Sequence, residues 1–145
     1  MDARIVRAEV SLDPIDPVAV LGLVAQASAG ASVLFVGTVR NHDPQAAGEV
    51  VGLDYTCHPS APERVIEIVR DALAEAGAEP GARVAAVHRI GRLAVGDVAF
   101  VVAVSSAHRA HAFDLNELVV ERVKQHLPIW KQQFEADGSH RWSGL

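Results

Sequence analysis

Charged and apolar residues alternate from Arg4 to Val10, which predicts a short strand with one face in solvent. Asp16-Pro17 then offers a capping carboxylate and a first-turn proline, so a helix should start there and stop near Gly30. Ala31–Val39 is apolar on both faces, the pattern of a strand central in a sheet. Asn41–Glu49, with Pro44 and Gly48, reads as a solvent loop, and Val50–Cys57 as the next strand. Ser60, Pro62 and Glu63 form a capping-box signature for a helix through Ala76, with Val65, Val69, Leu73 and Ala76 as its buried stripe and Gly77 as its stop. Arg83–Ile90 and Asp97–Ser105 read as strands flanking a turn-rich hairpin connection, Gly91–Gly96.

The last third is helical in pattern. Over Ala107–His126 a helical wheel places Asp114, Glu117, Glu121 and Gln125 on one arc and Leu115, Val119, Val120 and Val123 on the other, with Lys124 at the seam. Pro128 disfavours helical geometry at Leu127, so the helix should break there, and a new one is expected over Ile129–Glu135. Paired strands mixed with helices, without regular βαβ alternation, predict an α+β fold. No repeat, low-complexity linker or composition shift divides the chain, so residues 1–145 are read as one domain.

Composition narrows the function classes. Thirteen basic against eighteen acidic residues give a net charge of −5, which argues against nucleic-acid backbone binding. Apolar runs such as Ala31–Gly37 and Val98–Val104 are far shorter than the roughly 20 residues of a membrane helix. The N-terminal stretch has no apolar signal-peptide core, and a single cysteine, Cys57, can build neither a disulfide framework nor a Cys-rich zinc site. Together these features point to a reducing, cytoplasmic setting.

No dinucleotide fingerprint, phosphate loop, zinc-protease helix or nucleophile elbow is present. His108 and His111 share a helix face but lack a third ligand, so no metal site is assigned. Ser105-Ser106-Ala107-His108-Arg109 follows a strand and opens a helix, with Ser106 the natural N-cap. Such a start attracts anions, and His108 and Arg109 would add charge there, unless Arg109 merely pairs with a carboxylate such as Asp114. Lys124 and Lys131 bracket Pro128-Ile129-Trp130. The proline break could aim both amines into one cleft walled by Trp130, or the pair could be two solvated lysines beside a core tryptophan. Arg40 stands where an apolar strand enters a polar loop, a position from which side chains often face a site. His88 reads as a satisfied sheet histidine, and Cys57 as a packed thiol, because Cys57 and His58 are strand neighbours that point to opposite faces.

In order along the chain, Phe35-Val36-Gly37-Thr38-Val39-Arg40, His88-Arg89-Ile90-Gly91, Ser105-Ser106-Ala107-His108-Arg109 with Ala112-Phe113, Lys124 with Pro128-Ile129-Trp130-Lys131, and Gly138 with Arg141-Trp142 resemble the catalytic large subunit of molybdopterin synthase, the MoaE family. The resemblance implies an α/β-hammerhead-type α+β fold and a dimer of large subunits, each holding a small ubiquitin-like sulfur carrier. The carrier's C-terminal Gly-Gly thiocarboxylate would enter a pocket, where cyclic pyranopterin monophosphate would receive two sulfurs and become the dithiolene of molybdopterin. No cofactor or metal is implied. Sulfur arrives on the partner, so the enzyme needs no catalytic cysteine. Carried over by position, Arg40, His108 and Arg109 are the expected anion-binding group, and Lys124 and Lys131 the expected catalytic pair. A non-catalytic docking module for the same carrier is the alternative, and retention of the full cationic set argues against it. Thr56 and His58 stand where many relatives carry a carboxylate and an aromatic.

Overall fold

The computed structural model describes residues 2–44, 46 and 48–145; Gln45 and Ala47, inside the expected loop, and Met1 lie outside the described residues. Among the described residues the chain forms β1 (Ile5–Ser11), α1 (Pro17–Leu23), β2 (Ala31–Thr38), β3 (Val50–Cys57), α2 (Ala61–Glu75), β4 (Arg83–Arg89), β5 (Gly91–Ala94), β6 (Val98–Ser106), α3 (Arg109–His126), β7 (Ile129–Glu135) and β8 (His140–Gly144). The strands build two four-stranded sheets, ordered β1-β4-β6-β2 and β5-β3-β7-β8. The α+β class read from the sequence therefore holds.

The first sheet is the hydrophobic centre. On one face, Val65, Ile68, Val69 and Leu73 of α2 and Leu115, Val119 and Val123 of α3 pack against Val84, Ala86, Val102 and Val104 of β4 and β6. On the other, Val20 and Val24 cover Ala85, Val87, Val101 and Ala103. Burial on both faces explains why β4 and β6 read as nearly continuous Val and Ala. It also explains a misplacement. Ala31–Thr38 is apolar on both faces because α1 and α3 flank it on opposite sides, yet it pairs with β6 alone and is an edge strand.

Several expected boundaries move. The first helix is capped as expected, Asp16 Oδ1 accepting from the Val18 amide at 3.0 Å, but it ends at Leu23 and not near Gly30. Ser60 precedes α2 without capping it, because its hydroxyl bonds His58 Nδ1 at 2.8 Å. Ala76 is the exposed C-cap of α2, and Ala72 takes its place in the buried stripe. The expected hairpin connection instead holds β5. Gly91, at φ +95°, adopts a left-handed backbone and carries the chain from β4 into the second sheet, where β5 pairs with β3.

The largest correction is at Ile129–Glu135, which is a strand and not a helix. Leu127 is already extended at φ −71° and ψ 125°, and after Pro128 the side chains alternate faces, with Ile129, Gln133 and Glu135 buried and Trp130 exposed. Antiparallel pairing of β7 with β3 and β8 satisfies its backbone. The buried Asn116 side chain donates to the Val33 and Val102 carbonyls at 3.1 and 3.0 Å, fixing α3 over β2 and β6. Lys124 is thereby held in the last turn of α3, one tight connection away from Lys131 on β7.

Candidate active site

The two lysines meet. Lys124 and Lys131 line one cleft of about 80 Å³ with Phe35, Gly37, Thr38, Tyr55, His88, Ala99, Phe100 and Leu145. Seven of the chain's elements or their ends contribute, so the cleft sits where the two sheets and the end of α3 converge. The proline break does aim both amines into one place, as the first of the two sequence readings has it. Trp130, however, is not its wall. Strand alternation turns it to the opposite face from Lys131, where it is 46 % exposed. The apolar walls are Tyr55, Phe35 and Phe100, with the Phe35 and Phe100 rings 5.7 Å apart edge to face.

The cations differ in their surroundings. Lys131 Nζ lies 3.1 Å from Asp43 Oδ2, and both side chains are mostly buried. Lys124 has no ion-pair partner among the described residues. An anion entering the cleft therefore meets one compensated and one uncompensated ammonium.

His88 is both a buried sheet histidine and part of the cleft wall. Its ring is stacked between Tyr55, 4.9 Å away and perpendicular, and Phe100, 5.2 Å away. Nδ1 lies 2.7 Å from the Arg89 carbonyl oxygen. A carbonyl only accepts, so Nδ1 carries the hydrogen and Nε2 is left as an acceptor. Burial pushes the imidazole down to about 4, against the upward pull of the Arg89 carbonyl and with a smaller downward push from Lys124. It is thus neutral at physiological pH. Burial likewise pushes the Tyr55 phenol up to about 12. The inner wall of the cleft is thus buried and uncharged, and its cations are Lys131 and the exposed Lys124 at its mouth.

A stability consequence follows from His88. Its folded value lies below the unfolded value, so the unfolded chain binds the extra proton. The contribution is fully present above about pH 6.5, and is lost as pH falls toward about 4, reaching about 3 kcal/mol at most. Denaturant unfolding at pH 7 and pH 4.5 should show a loss in the wild type that is clearly smaller in His88→Gln. Equal losses would contradict the assignment.

The other expected residues lie elsewhere. Arg40 is exposed, two residues beyond Thr38 at the cleft edge. His108 and Arg109 are exposed at the opposite end of α3, about 22 Å from Lys124 at 1.5 Å of rise per residue. Arg40, His108 and Arg109 therefore do not line the cleft that holds the two lysines of the same chain. Ser106 is not the N-cap: it ends β6, and α3 begins after an extended His108 that makes no side-chain cap. Glu79 instead occupies that corner, accepting from Ser106 Oγ at 2.9 Å and the Ala107 amide at 2.8 Å; these bonds, the Ala107 amide foremost, hold its carboxyl below the usual range. Arg109 makes no ion pair with Asp114 or any other described carboxylate. His108 and His111 stack edge to face at 6.4 Å, and no cluster of three or more metal-ligating side chains occurs among the described residues.

Cys57 packs against the main core and is not part of the cleft. His58 is tied to Ser60 and makes no dyad with it, and Thr56 faces outward opposite Trp130. Sequence reasoning missed Asp43, Tyr55 and Gln133. The available signal for the last was alternation after Pro128, which puts positions 131, 133 and 135 on one face.

Comparison with known proteins places the chain in a family. A family model described as MoaE protein matches residues 10–126. The Mycobacterium tuberculosis molybdopterin synthase catalytic subunit 1 is 40 % identical over 125 residues, covering 86 % of this chain and 82 % of the relative. The Bacillus subtilis molybdopterin synthase catalytic subunit is 37 % identical over 143 residues, covering 95 % and 85 %. Among solved structures, molybdopterin synthase from Staphylococcus aureus superposes with a TM-score of 0.83 at 32 % identity, covering 95 % of this chain and 97 % of that one. A chain from the Helicobacter pylori complex of molybdopterin-converting factor subunits 1 and 2 shares the fold, with a TM-score of 0.61 at 21 % identity. No helix among the described residues is long and apolar enough to cross a membrane.

Proposed function

The chain belongs to the MoaE family of molybdopterin synthase catalytic subunits, and on that premise we propose that its lysine cleft receives the C-terminal thiocarboxylates of two small ubiquitin-like carriers in turn and transfers one sulfur from each to cyclic pyranopterin monophosphate, forming a dithiolene. The observation that carries this reading is the cleft itself. Two lysines from separate elements converge in an aromatic-walled chamber that contains no cysteine. A sulfur chemistry run there must import its sulfur.

The uncompensated Lys124 supplies the charge that draws and holds an anionic tail at the mouth of the cleft, against its buried aromatic wall. Lys131, held beside it, donates hydrogen bonds and manages protons as the sulfur leaves its acyl carbon and a water oxygen takes its place, returning the carrier's C-terminus as a carboxylate. Neutral His88 offers an acceptor without adding charge. The cyclic phosphate needs its own cations, and His108, Arg109 and Arg40 are suited to it. Because α3 separates the first two from the lysines, a second copy of the chain would deliver them, and the functional unit is a homodimer with a carrier on each subunit. The same reading places the protein in the cytoplasm, supported by its free thiol.

Reconstitution tests this. Purified protein, thiocarboxylated carrier and cyclic pyranopterin monophosphate should give dithiolene product, and Cys57→Ala should give as much. Product formed without the carrier, or lost in a folded Cys57→Ala variant, would refute external sulfur. Carrier binding without turnover would make the protein a docking module instead.

A further inference from the structure

After Pro128, three inward side chains of β7, Lys131, Gln133 and Glu135, reach the loop that leaves Arg40. Lys131 Nζ and Gln133 Nε2 both donate to Asp43 Oδ2, at 3.1 and 2.9 Å. Glu135 Oε1 accepts from the Gly48 amide at 2.7 Å. The loop is therefore stapled along the strand that carries a cleft lysine. The Asp43 and Lys131 side chains are only 15 % and 20 % exposed, so their contact is little screened by solvent. Gln133 is 3 % exposed and holds the same carboxylate oxygen, which fixes Asp43 from a second side.

A lysine is a flexible four-carbon stem, and a free one would have to be ordered at each turnover. Asp43 removes much of that freedom. It uses one of the three N–H donors of Lys131 and leaves two for the cleft. It also cancels the lysine's charge at long range, so that attraction of an anionic tail falls to Lys124.

We propose that Asp43 is the positioning residue for Lys131, dividing the labour between the two lysines: Lys124 binds the incoming anionic tail and holds it in the reacting position, and the Asp43–Lys131 pair manages protons in the transfer step. This rests on the sulfur-transfer reading above.

The test uses the full-length protein with thiocarboxylated carrier and cyclic pyranopterin monophosphate. Asp43→Ala should lower kcat about tenfold, the equivalent of about 1.4 kcal/mol, while the KM for carrier stays level or falls. Asp43→Glu should recover part of the loss. In a Lys131→Ala background the same Asp43→Ala change should cost little more, whereas a purely structural staple would cost as much in both backgrounds. A readout independent of activity is the side-chain Cε–Hε resonance of Lys131 in lysine-labelled protein, identified by its absence in Lys131→Ala. It should move and narrow in Asp43→Ala, with that of Lys124 unchanged. An immobile Lys131 resonance, a rise in KM alone, or additive effects in an active enzyme would overturn the inference. A wild-type protein that forms no dithiolene would instead overturn the sulfur-transfer reading.

Discussion

Lys124→Ala is expected to lower single-turnover sulfur transfer on the order of a hundredfold to a thousandfold, with the fold and the affinity for the pterin substrate little changed. The expected size is that of removing one preorganised charge or donor aimed at the reacting group. Three observations place Lys124 in that class. It lines the cleft, it has no carboxylate neighbour among the described residues, and the walls around it are Tyr55, Phe35, Phe100 and a neutral His88. Its backbone lies in the last turn of α3 with the side chain at the polar seam, so truncation removes no core contact and should shift stability by no more than about 0.5 kcal/mol. Rapid-quench turnover with saturating carrier, alongside calorimetric titration with the pterin, separates the two effects. A folded Lys124→Ala protein within tenfold of wild-type turnover would contradict the assignment.

The elements that periodicity defines were legible. The α3 arcs fall as the wheel has them, with Leu115, Val119, Val120 and Val123 buried and Asp114, Glu117 and Glu121 exposed. Local pattern could not separate edge from centre. Ala31–Thr38 looks central because helices cover both its faces, and only the pairing partner reveals the edge. Nor could it place β7: Trp130, Lys131, Gln132, Gln133 and Phe134 are tolerated in a helix, and what decides is pairing with β3, more than seventy positions earlier.

The site divides in the same way. Lys124 and Lys131 could be suspected from Pro128 alone. Asp43 could not, since its meeting with Lys131 depends on how β3 and β7 register and where the intervening loop lies. The helix start at His108-Arg109 was legible as a candidate anion site, but its distance from Lys124 was not, because a continuous α3 sets it.

That distance makes the second large prediction. If the lysine cleft of one copy is completed by the helix start of another, Lys124→Ala and Arg109→Ala damage different halves of one site. Removing Arg109 costs a charge-assisted contact of about 1.5–3 kcal/mol, so at low substrate each variant alone should be nearly silent. In a mixed dimer, both lesions fall on one site and the other site is intact. Random exchange makes half the dimers mixed, so an equal mixture should recover about a quarter of wild-type activity. The decisive measurement is therefore sulfur transfer, at subsaturating pterin and saturating carrier, by Lys124→Ala and Arg109→Ala chains unfolded together and refolded, with light scattering to confirm roughly twice 15.4 kDa. Recovery to about a quarter of wild type is the predicted result; activity no greater than the mean of the two variants alone, or a monomeric mass, would contradict a site shared between two copies.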